Sequence, residues 1–583
     1  MKKLIPVFTA IVLIILIVAV SAGVKLAEKY SYSKERADLK EYFGIEKEDE
    51  VAIVLRDERV EEKAKLIGGV YYFDMATVQK YFNDRFYEDR NEQLLLYTMP
   101  EDTVRVEIGA SSYSTSTAEG SVDMGAPIAL YGAGPDGSSE VLYLAADYVK
   151  LFADFTYEAF SEPNRMQVYT GTPQEGKEGR ITKKTAVRYQ GGVKSPILAD
   201  LAEGDTVIIL EEMETWSKVK TEDALIGYVE NKRLETENAG MAVEDLQPKT
   251  QGADEAGFRN PEFTSLTKPY KINLGWHVVA GTGGNDTLVS VLQNTEGINV
   301  ISPTWFALTD SEGNFSSFAT SDYVARAHDM GLEVWGLIDN FSNRDAVDTY
   351  ELLSHTSRRA YLIRNLVDTA LEYGLDGINV DFESISQDAG THFVQFIREL
   401  SVECRKSGLV LSVDNYVPTG DTDHYNRKEQ GVFADYVIIM GYDEHYSGSR
   451  EAGSVASIGF VEDGISRTVE QVPAHKVINA LPFYTRIWKS EGADLTSEAV
   501  GMEMAEQFVA NHNMEVRWDE AACQNYAEAS EGSAFYQIWL EDEQSIEAKL
   551  GIMQKYEIGG VAAWRLGFEK ASVWEVIGGY LGK

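Results

Sequence analysis

The chain has 583 residues, of which 44% are hydrophobic and 25% are charged. A single compact core does not grow to this length, so several globular domains are expected. The formal net charge of -40 argues against a nucleic-acid partner, because phosphates are bound by Lys and Arg. The same charge gives no attraction to anionic lipids or wall polymers, and it suits a soluble exported protein.

An apolar stretch lies at the N-terminus of the chain. It runs from Leu4 to Ala22, directly after Lys2 and Lys3. This length can just span a bilayer, and the leading lysines keep that end in the cytoplasm. We therefore predict a transmembrane signal-anchor over residues 1–24, which makes the chain a single-pass protein of the cell membrane with an extracytoplasmic remainder. Secretion after signal cleavage is the alternative, because the small residues that end the stretch suit a signal peptidase.

Residues 25–65 are rich in Lys and Glu and predict a solvated helical stalk or linker. From 66 to 175, short apolar runs broken by Gly, Ser and Asp predict a small extracytoplasmic domain with several strands. The run VYYFDMATVQKYF (70–82) resembles the strand–helix element of copper amine oxidase N-terminal-like domains, which are exported spacer modules. No cluster of metal-ligand residue types accompanies it, so no metal is expected there. The predicted strands are GGVYYFD (68–74), TVRVEIG (103–109) and EVLYLAA (140–146).

Short strands with tight turns within residues 181–235 predict a small all-β barrel. The segment resembles a bacterial Src-homology-3-like domain, and the matching features are EGD (203–205), Trp216 followed by Val219, and GYV (227–229). Such domains bind cell-wall peptide or act as spacers, so the resemblance implies one of these two roles. Alternatively, Trp216 and Tyr228 only fill the small core. Residues 236–265 contain few large apolar residues and predict a linker.

Eight apolar runs follow this linker, and eight is the number of strands that closes a parallel barrel. Helical stretches between several of them favour parallel strands with right-handed crossovers. We expect helices over 357–374 and 391–407, each ended by a Gly, and a small α+β insertion within 485–558. The fold class is a C-terminal α/β (β/α)8 TIM barrel over 266–583, preceded by a small all-β barrel domain and an N-terminal α+β spacer domain. The runs are KINLGWHVV, INVISPTWF, EVWGLID, LDGINVDFE, LVLSVDNYV, DYVIIMGYD, KVINALPFY and GGVAAWRLG.

Polar and aromatic side chains gather where these predicted strands end, which is where barrels of this kind carry their chemistry. In LDGINVDFES (375–384), Asn379, Asp381 and Glu383 alternate with apolar residues and would share one face of a strand. Carboxylates beside aromatic walls suit a sugar, whose ring faces stack on aromatic rings while its hydroxyls bond to acids. The other members of this set are Met440, Tyr442, Asp443, Tyr484, Arg486 and Trp564.

The same residues resemble glycoside hydrolase family 18, the chitinase-like barrels. DGINVDFE is similar to the DGxDxDxE signature, MGYD to the MxYD of the sixth strand and LPFYTRIW to the PFYGRxW of the seventh, while Trp564 fits the tryptophan of the eighth. One position departs from the pattern, because Asn379 stands where chitinases carry Asp. This Asn, together with SPTWF (302–306), is similar to the bacterial spore-germination and cortex-lytic branch. That branch implies an N-acetylglucosaminidase that acts on peptidoglycan.

The resemblance implies substrate-assisted catalysis with retention. Glu383 would be the general acid and then the general base, Asp381 would stabilise the cation formed from the 2-acetamido group, and Tyr442 would hydrogen-bond to that group. Neither a metal nor another cofactor is needed. The implied substrate-binding residues are Asn379, Asp443, Met440, Tyr484, Arg486 and Trp564.

Two other functions stay open at this point. A chitinase or chitooligosaccharide hydrolase differs only in its substrate, and an Asp in place of Asn379 would have favoured it. A non-catalytic barrel that binds cell-wall glycan belongs to another class, and relatives of that kind commonly lose the acid. The presence of Glu383 therefore favours an enzyme.

Asn379 also suggests how the site titrates. An Asn removes one charge from the row but keeps a donor and an acceptor. We therefore expect Asp381 to ionise more easily than it would beside a second acid, and its interaction with Glu383 to dominate the titration.

The histidines and cysteines carry no predicted chemistry. His277 and His445 lie near strand ends, but a lone His is usually a hydrogen-bonded structural residue, so both stay outside the catalytic set. Cys404 follows apolar residues at helical spacing and is expected in the core. Two cysteines form no disulfide framework, and a single bond between Cys404 and Cys523 stays open.

Overall fold

The computed structural model describes residues 5–118, 120–134, 137, 139–171, 177–236, 258 and 261–582. The chain divides into two compact units. Most of the linker predicted over 236–265 lies outside the described residues. The first unit comprises Met1–Phe86, Val106–Ser114 and Gly120–Asn260, and the second comprises Tyr87–Arg105, Thr115–Glu119 and Pro261–Lys583.

A helix over Ile5–Tyr30 begins the first unit. Its apolar side chains from Phe8 onward are exposed, and it is long and apolar enough to cross a membrane. It fits the signal anchor or signal peptide expected from the sequence. A short helix over Leu39–Phe43 follows, with Asp38 accepting backbone hydrogen bonds at its N-terminus and Gly44 ending it in the left-handed conformation.

Seven strands of the first unit form one sheet. The prediction of a solvated helical stalk over 25–65 is wrong in part, because two of these strands lie within or overlap that range. Glu50–Leu55 and Glu58–Ile67 are paired antiparallel strands inside it. Most side chains of Glu58–Ile67 are exposed or half-buried, so its charges lie on a solvated sheet face and not on a helix. The strand order is Phe155–Phe160, Arg165–Thr170, Glu50–Leu55, Glu58–Ile67, Val70–Asp74, Glu140–Ala145 and Ala129–Ala133.

The predicted strand–helix element is present in this sheet, as Val70–Asp74 followed by the helix Met75–Tyr81. Asp74 accepts a hydrogen bond from the Thr77 N–H and so caps that helix. Another short helix, Ala146–Val149, follows the strand that ends at Ala145. The likeness to a copper amine oxidase N-terminal-like domain stays a prediction.

A second seven-stranded sheet spans residues 177–236. Its buried side chains share one core with Tyr42, Phe43, Ala52 and Val54, so this part of the chain does not have a core of its own. Trp216 and Tyr228 are both half-buried, and the likeness to a Src-homology-3-like domain stays a prediction. The strand order is Ile197–Leu201, Thr185–Arg188, Ile226–Glu230, Trp216–Lys220, Thr206–Glu212, Lys177–Ile181 and Leu234–Thr236.

The domain predicted over 66–175 is not one unit, because residues 87–105 and 115–119 belong to the second unit. We call residues 87–105 the strap. The Asp89 carboxylate in the strap accepts hydrogen bonds from the N–H of Thr356 at 2.6 Å and from its hydroxyl at 2.5 Å. The strap thereby satisfies polar groups at the N-terminus of a barrel helix, which sequence patterns do not reveal. Short strands in this region are Phe86–Asp89, Leu94–Thr98, Thr103–Glu107, Ser112–Thr115 and Ser121–Asp123.

Eight parallel strands close a barrel in the second unit, as predicted, and each of the eight apolar runs contains one of them. Each strand pairs in parallel with its neighbours, and the eighth pairs with the first. The strands are β1 (Ile272–His277), β2 (Val300–Pro303), β3 (Glu333–Asp339), β4 (Gly377–Asp381), β5 (Val410–Tyr416), β6 (Tyr436–Met440), β7 (Val477–Pro482) and β8 (Gly560–Trp564). A hairpin of Phe306–Leu308 and Phe315–Ser317 extends the sheet beside β3.

Helices surround the barrel, and the two predicted ones are present. Thr356–Tyr373 ends at Gly374 and Gly390–Ser407 ends at Gly408, with both glycines in the left-handed conformation. Cys404 is buried, as predicted, and both cysteines are free thiols. The other helices of four or more residues described here are Leu288–Val291, Ser321–Asp329, Thr349–Leu353, Arg427–Phe433, Ile458–Val469, Glu543–Lys555 and Val573–Leu581.

The α+β insertion predicted within 485–558 is also present. A helix over Met502–Asn511 packs on a five-stranded antiparallel sheet with a small apolar core of its own. The helix Glu543–Lys555 then leads into β8, and it is the crossover that the barrel requires. The strands of the insertion are Tyr484–Glu491, Asp494–Gly501, Glu515–Asp519, Gln524–Glu531 and Ala534–Leu540.

A buried ion pair where this insertion ends predicts a large stability effect. Lys549 Nζ lies 3.0 and 2.9 Å from the two carboxylate oxygens of Glu541, and both side chains are almost completely buried. Lys549→Met would leave the acid buried and unpaired, so the free energy of unfolding should fall by about 3–5 kcal/mol. Chemical denaturation measures this. Lys406→Met, which breaks a half-exposed pair with Glu403, should change it by less than about 1 kcal/mol.

Candidate active site

Asn379, on β4, is completely buried inside the barrel. Its side-chain oxygen accepts hydrogen bonds from Trp276 Nε1 at 2.9 Å and from the Ser302 hydroxyl at 3.3 Å. Its Nδ2 donates to Ser412 Oγ at 3.0 Å and to Asp414 Oδ1 at 2.9 Å. The protein thus uses both the donor and the acceptor of this amide. Asn379 is a support that ties four strands together, and it does not fit the direct substrate contact predicted for it.

Asp381 ends β4 on the same face. Only 6% of it is exposed, and its Oδ1 is buried without a hydrogen-bond partner among the described residues. Burial raises the pKa of Asp381 well above its usual value, and Asp414, Glu383 and Asp339 raise that pKa further, in this order. The expectation that the interaction with Glu383 dominates the titration of Asp381 is therefore wrong, because Asp414 has the larger effect. Asp414 supplies the second buried carboxyl that Asn379 leaves out.

Asp414 lies on β5, with 2% of its surface exposed. Burial raises the pKa of this carboxyl well above its usual value, although the hydrogen bond from Asn379 acts in the opposite direction. Two neighbouring buried carboxyls do not both ionise readily, because each disfavours the charge of the other. Asp381 and Asp414 therefore form a coupled pair that retains a proton to unusually high pH.

Glu383 lies beyond the end of β4 and not within it, since the strand ends at Asp381. The Asn340 side chain holds its backbone on both sides: Oδ1 accepts from the Glu383 N–H at 2.8 Å and Nδ2 donates to the Glu383 carbonyl at 3.0 Å. The Tyr416 hydroxyl donates to the Glu383 carboxylate at 2.7 Å. Two side chains, one directly after β3 and one at the end of β5, therefore fix the position of this acid.

The surroundings of Glu383 set its protonation. Burial raises the pKa of the Glu383 carboxyl, the hydrogen bond from Tyr416 lowers it, Asp443 raises it and the Arg344 guanidinium lowers it. The net direction is upward. A raised pKa leaves more of the carboxyl protonated near neutral pH, and a general acid needs that proton.

Removing the Tyr416 hydroxyl should shift the pH dependence of activity in a known direction. The hydroxyl stabilises ionised Glu383, so Tyr416→Phe raises the pKa of Glu383 further. The alkaline limb of kcat/KM, where the acid loses its proton, should then move up by about one pH unit. A pH–rate profile measures this. Tyr425→Phe is the matched control, because the Tyr425 hydroxyl accepts from the Ile385 N–H at 3.2 Å and does not bond to the acid; its alkaline limb should not move.

Tyr442 and Tyr484 form an aromatic wall beside the acids. Their ring centroids are 6.2 Å apart at 72°. Burial raises the pKa of Tyr442 well above its usual value, and the nearby Asp381 raises it further, so the Tyr442 hydroxyl remains a hydrogen-bond donor. The Tyr484 hydroxyl donates to Asp443 Oδ1 at 2.5 Å, and Asp443 itself is exposed. The predicted residues after β6 and β7 are therefore brought together.

Three further predicted residues lie around this wall. Trp564 ends β8, is half-buried, and meets Trp276 edge to face with ring centroids 5.8 Å apart. Met440 ends β6 and is 8% exposed, so it contributes little surface. Arg486 lies in the inserted lobe and donates to Ser497 Oγ at 3.1 Å. Trp564 is thus placed as an aromatic surface, whereas Met440 is mostly buried and Arg486 donates to a residue of the insertion.

The two histidines left out of the catalytic set have protein partners. His277 lies between the hydroxyls of Tyr323 and Thr287, with ring nitrogens 2.8 Å from each oxygen. Burial lowers the pKa of His277 to about 4, so its imidazole is neutral at physiological pH. His445 Nδ1 lies 2.9 Å from the Ser454 carbonyl oxygen. Both therefore have the structural surroundings expected from the sequence.

Sequence reasoning missed three residues that fix the acids: Asn340, Asp414 and Tyr416. Asp414 and Tyr416 lie in the fifth apolar run, LVLSVDNYV (409–417), with the same alternation as the fourth run. That alternation was a signal that could have been used. Asn340 directly follows EVWGLID (333–339), and its two bonds to Glu383 become apparent only when the loops meet in space.

Comparison with known proteins identifies a family and relatives for this barrel. Residues 304–569 match glycosyl hydrolases family 18. The uncharacterized glycosylase YvbX of Bacillus subtilis (strain 168) is 22% identical over 308 residues, which cover 51% of this chain and 88% of that protein. The cortical fragment-lytic enzyme of Bacillus anthracis is 26% identical over 225 residues, which cover 37% of this chain and 52% of that enzyme. The chain thus spans about half the length of this second relative.

A solved structure is also similar. The spore cortex-lytic enzyme SleL of Bacillus megaterium QM B1551 aligns with a TM-score of 0.47 and 20% identity, over 53% of this chain and 74% of that chain. Residues 304–569 of the barrel are therefore a glycosyl hydrolase family 18 domain, and the barrel is a glycosidase domain. Its relatives include bacterial enzymes named for lysis of the spore cortex. The family and the branch predicted from the strand-end motifs are therefore confirmed.

Proposed function

We propose that this chain is an extracytoplasmic hydrolase that cleaves the β-1,4 bond after N-acetylglucosamine in peptidoglycan. The observation that carries this proposal is the grouping of three polar residues at one end of the barrel. Glu383 has a raised pKa, Asp381 has a buried oxygen without a partner among the described residues, and Tyr442 keeps its hydroxyl proton. This is the chemistry that a substrate with a 2-acetamido group requires.

In the first step the acetamido oxygen of the substrate attacks the anomeric carbon. The bond from that carbon to the leaving oxygen breaks, and Glu383 gives the leaving oxygen its proton. In the second step the Glu383 carboxylate takes a proton from water. The resulting hydroxide adds to the anomeric carbon, the bond from that carbon to the acetamido oxygen breaks, and the acetamide re-forms. The two displacements retain the configuration at the anomeric carbon.

Asp381 supports this reaction by electrostatics. Its unpartnered Oδ1 is a suitable acceptor for the acetamido N–H, which would supply the missing hydrogen bond. In its ionised form, the carboxylate would stabilise the positive oxazolinium ion that forms in the first step. Tyr442 would donate to the acetamido oxygen, and Trp564 would stack beneath the distorted sugar. Asp443, held by Tyr484, would bind a hydroxyl or position the water.

Peptidoglycan is favoured over chitin by the kind of relative and by the rest of the chain. The cortical fragment-lytic enzyme of Bacillus anthracis carries a name that points to the bacterial cortex. The helix Ile5–Tyr30, suited in length and composition to a membrane, would tether the barrel next to the wall. Residues 181–235 would add wall-peptide binding through the half-buried Trp216 and Tyr228.

The proposal is tested with the full chain in detergent and two insoluble polymers. Purified peptidoglycan and chitin are incubated separately, and new N-acetylglucosamine reducing ends are identified by mass spectrometry after borohydride reduction. We expect release from peptidoglycan, with a smaller release from chitin. Release from chitin alone would favour the chitinase. Binding to peptidoglycan without release from either polymer would favour the non-catalytic wall receptor.

A further inference from the structure

A cleft beside Glu383 contains a cation that the proposed reaction does not use. The cleft has a volume of ≈550 Å³, and its walls come from the loop after β3 and from residues 383–389. Asp381, Tyr442 and Trp564 do not line it. These three residues would hold the sugar that forms the oxazolinium ion, so the cleft is separate from the place of that sugar. The leaving sugar, whose oxygen Glu383 would protonate, could therefore reach the cleft.

Arg344 lines this cleft and is exposed. Its guanidinium forms no hydrogen bond or ion pair with another residue in the described part of the chain. Its charge acts on Glu383, so the two groups are near each other. A guanidinium offers a planar pair of donors that fits a carboxylate bidentately. Arg344 is therefore available to bind an anionic group of a substrate whose leaving oxygen meets Glu383.

Two acids besides Glu383 line the same cleft, and they limit how Arg344 could bind an anion. The Asp348 carboxylate is engaged at the N-terminus of the helix Thr349–Leu353, where it accepts from the Glu351 N–H at 3.1 Å. Asp345, next to Arg344, is exposed and would repel an anion. General electrostatic attraction does not make this cleft an anion site, because the acids offset the cation. Directional hydrogen bonds from Arg344 would be needed, and these demand a carboxylate at a defined position.

The geometry of the leaving sugar supplies such a position. The general acid protonates the oxygen at carbon 4 of that sugar, and the oxygen at carbon 3 is its neighbour on the ring. In chitin this neighbour is a hydroxyl. In muramic acid it carries a lactyl ether, which ends in a free carboxylate or in an amide-linked peptide that bears carboxylates further out. A carboxylate on this substituent would therefore lie beside Glu383.

We propose that Arg344 binds a carboxylate on the oxygen-3 substituent of the leaving sugar and so selects muramyl glycans over chitin. This specificity role rests on the proposed function. The same chemistry could come from the free lactyl group or from the attached peptide, and the test separates these two sources.

The test compares the full chain with its Arg344→Gln variant on three soluble oligosaccharides. These are a muramyl oligosaccharide with a free lactyl carboxylate, the same oligosaccharide with its peptide attached, and a chitooligosaccharide of equal length. We expect kcat/KM to fall by about tenfold or more on at least one muramyl substrate and by less than about twofold on the chitooligosaccharide. A loss with the free lactyl substrate assigns the lactyl carboxylate, and a loss confined to the peptide-bearing substrate assigns the peptide.

Two control variants accompany this comparison. Arg364→Gln makes the same change at an exposed position of the helix Thr356–Tyr373 and should alter none of the three rates. Asp345→Asn removes the repelling charge and should raise kcat/KM on the muramyl substrates. Because Arg344 also lowers the pKa of Glu383, each variant is measured at its own pH optimum, and the ratio between substrates is the readout.

The outcomes distinguish this inference from the proposed function. If the unaltered chain cleaves none of the substrates, the proposed function fails, and the specificity role fails with it. If the unaltered chain cleaves them and Arg344→Gln loses the same factor on all three, the specificity role alone is overturned. Arg344 would then only tune the acid.

Discussion

Replacing Glu383 by Gln is expected to reduce kcat on peptidoglycan by about 10³-fold, because in the proposed mechanism this side chain donates a proton in the first step and accepts one from water in the second. Gln keeps the shape of the side chain and can still accept from the Tyr416 hydroxyl, so the fold and substrate binding should persist. Reducing-end release at saturating substrate measures kcat, and sedimentation with the polymer measures binding. The combination of retained binding and lost release identifies a group that acts in the chemical steps.

The control for this variant is Glu372→Gln, which makes the same change on the exposed face of the helix Thr356–Tyr373. It should leave kcat unchanged. Equal release by Glu383→Gln and the unaltered chain would refute the assignment of the acid. Loss of binding together with loss of release would instead indicate that Glu383 mainly maintains the shape of the site.

Replacing Asn379 by Asp is expected to change the pH–rate profile more than the affinity. The new carboxyl would face Asp414 across the contact that Asn379 Nδ2 now bridges at 2.9 Å. Its charge would disfavour ionisation of the Asp381–Asp414 pair, because like charges raise the pKa of neighbouring acids. In the proposed reaction Asp381 acts as an anion, so the acid limb of kcat/KM should move up by about one pH unit. An unchanged profile would contradict this expectation.

The same substitution should also change how the free energy of unfolding depends on pH. Burial and Asp414 would raise the pKa of the new carboxyl above the unfolded value of about 3.9. Its contribution to the free energy of unfolding is then fully present below about pH 4 and is lost as pH rises through the folded pKa. Relative to the unaltered chain, the variant should therefore weaken between acid and neutral pH. Asn379→Leu adds no titrating group, so its loss of stability should vary less over that range.

The barrel and its family could be predicted because their signals are local in sequence. Apolar runs identified the eight strands, and Gly374 and Gly408 marked two helix ends. The titration of Asp381 could not be predicted from its own run. Burial has the largest effect on the pKa of Asp381, and the charged residue with the largest effect is Asp414. Asp414 lies more than thirty positions away along the chain. Packing between distant parts of the chain determines both the burial of Asp381 and its distance from Asp414.

The first unit shows the same limitation. The charge run in 25–65 suggested a solvated helix, whereas Glu58–Ile67 is a strand between two others. The residue pattern of one strand can be interpreted only when its partner strands are known. In this sheet the partners lie far apart along the chain, since Glu50–Leu55 pairs with Arg165–Thr170. The same is true of Glu383: the alternation placed it on the strand, but β4 ends at Asp381.

The strap shows that sequence similarity and folding give different boundaries for the catalytic domain. Similarity to family 18 begins at residue 304 and the first barrel strand begins at Ile272, so a protein engineer would cut the chain shortly before that strand. Yet His355, at the N-terminus of the helix Thr356–Tyr373, offers no side-chain cap, and Asp89 supplies that cap from more than two hundred positions upstream. An excised barrel would carry open backbone donors and lose the Tyr87 contact to His392, 2.6 Å long. The part of the chain that resembles family 18 is therefore smaller than the part that folds together with the barrel. Low activity in a trimmed enzyme would then reflect the loss of the strap and would not by itself argue against the proposed catalytic residues.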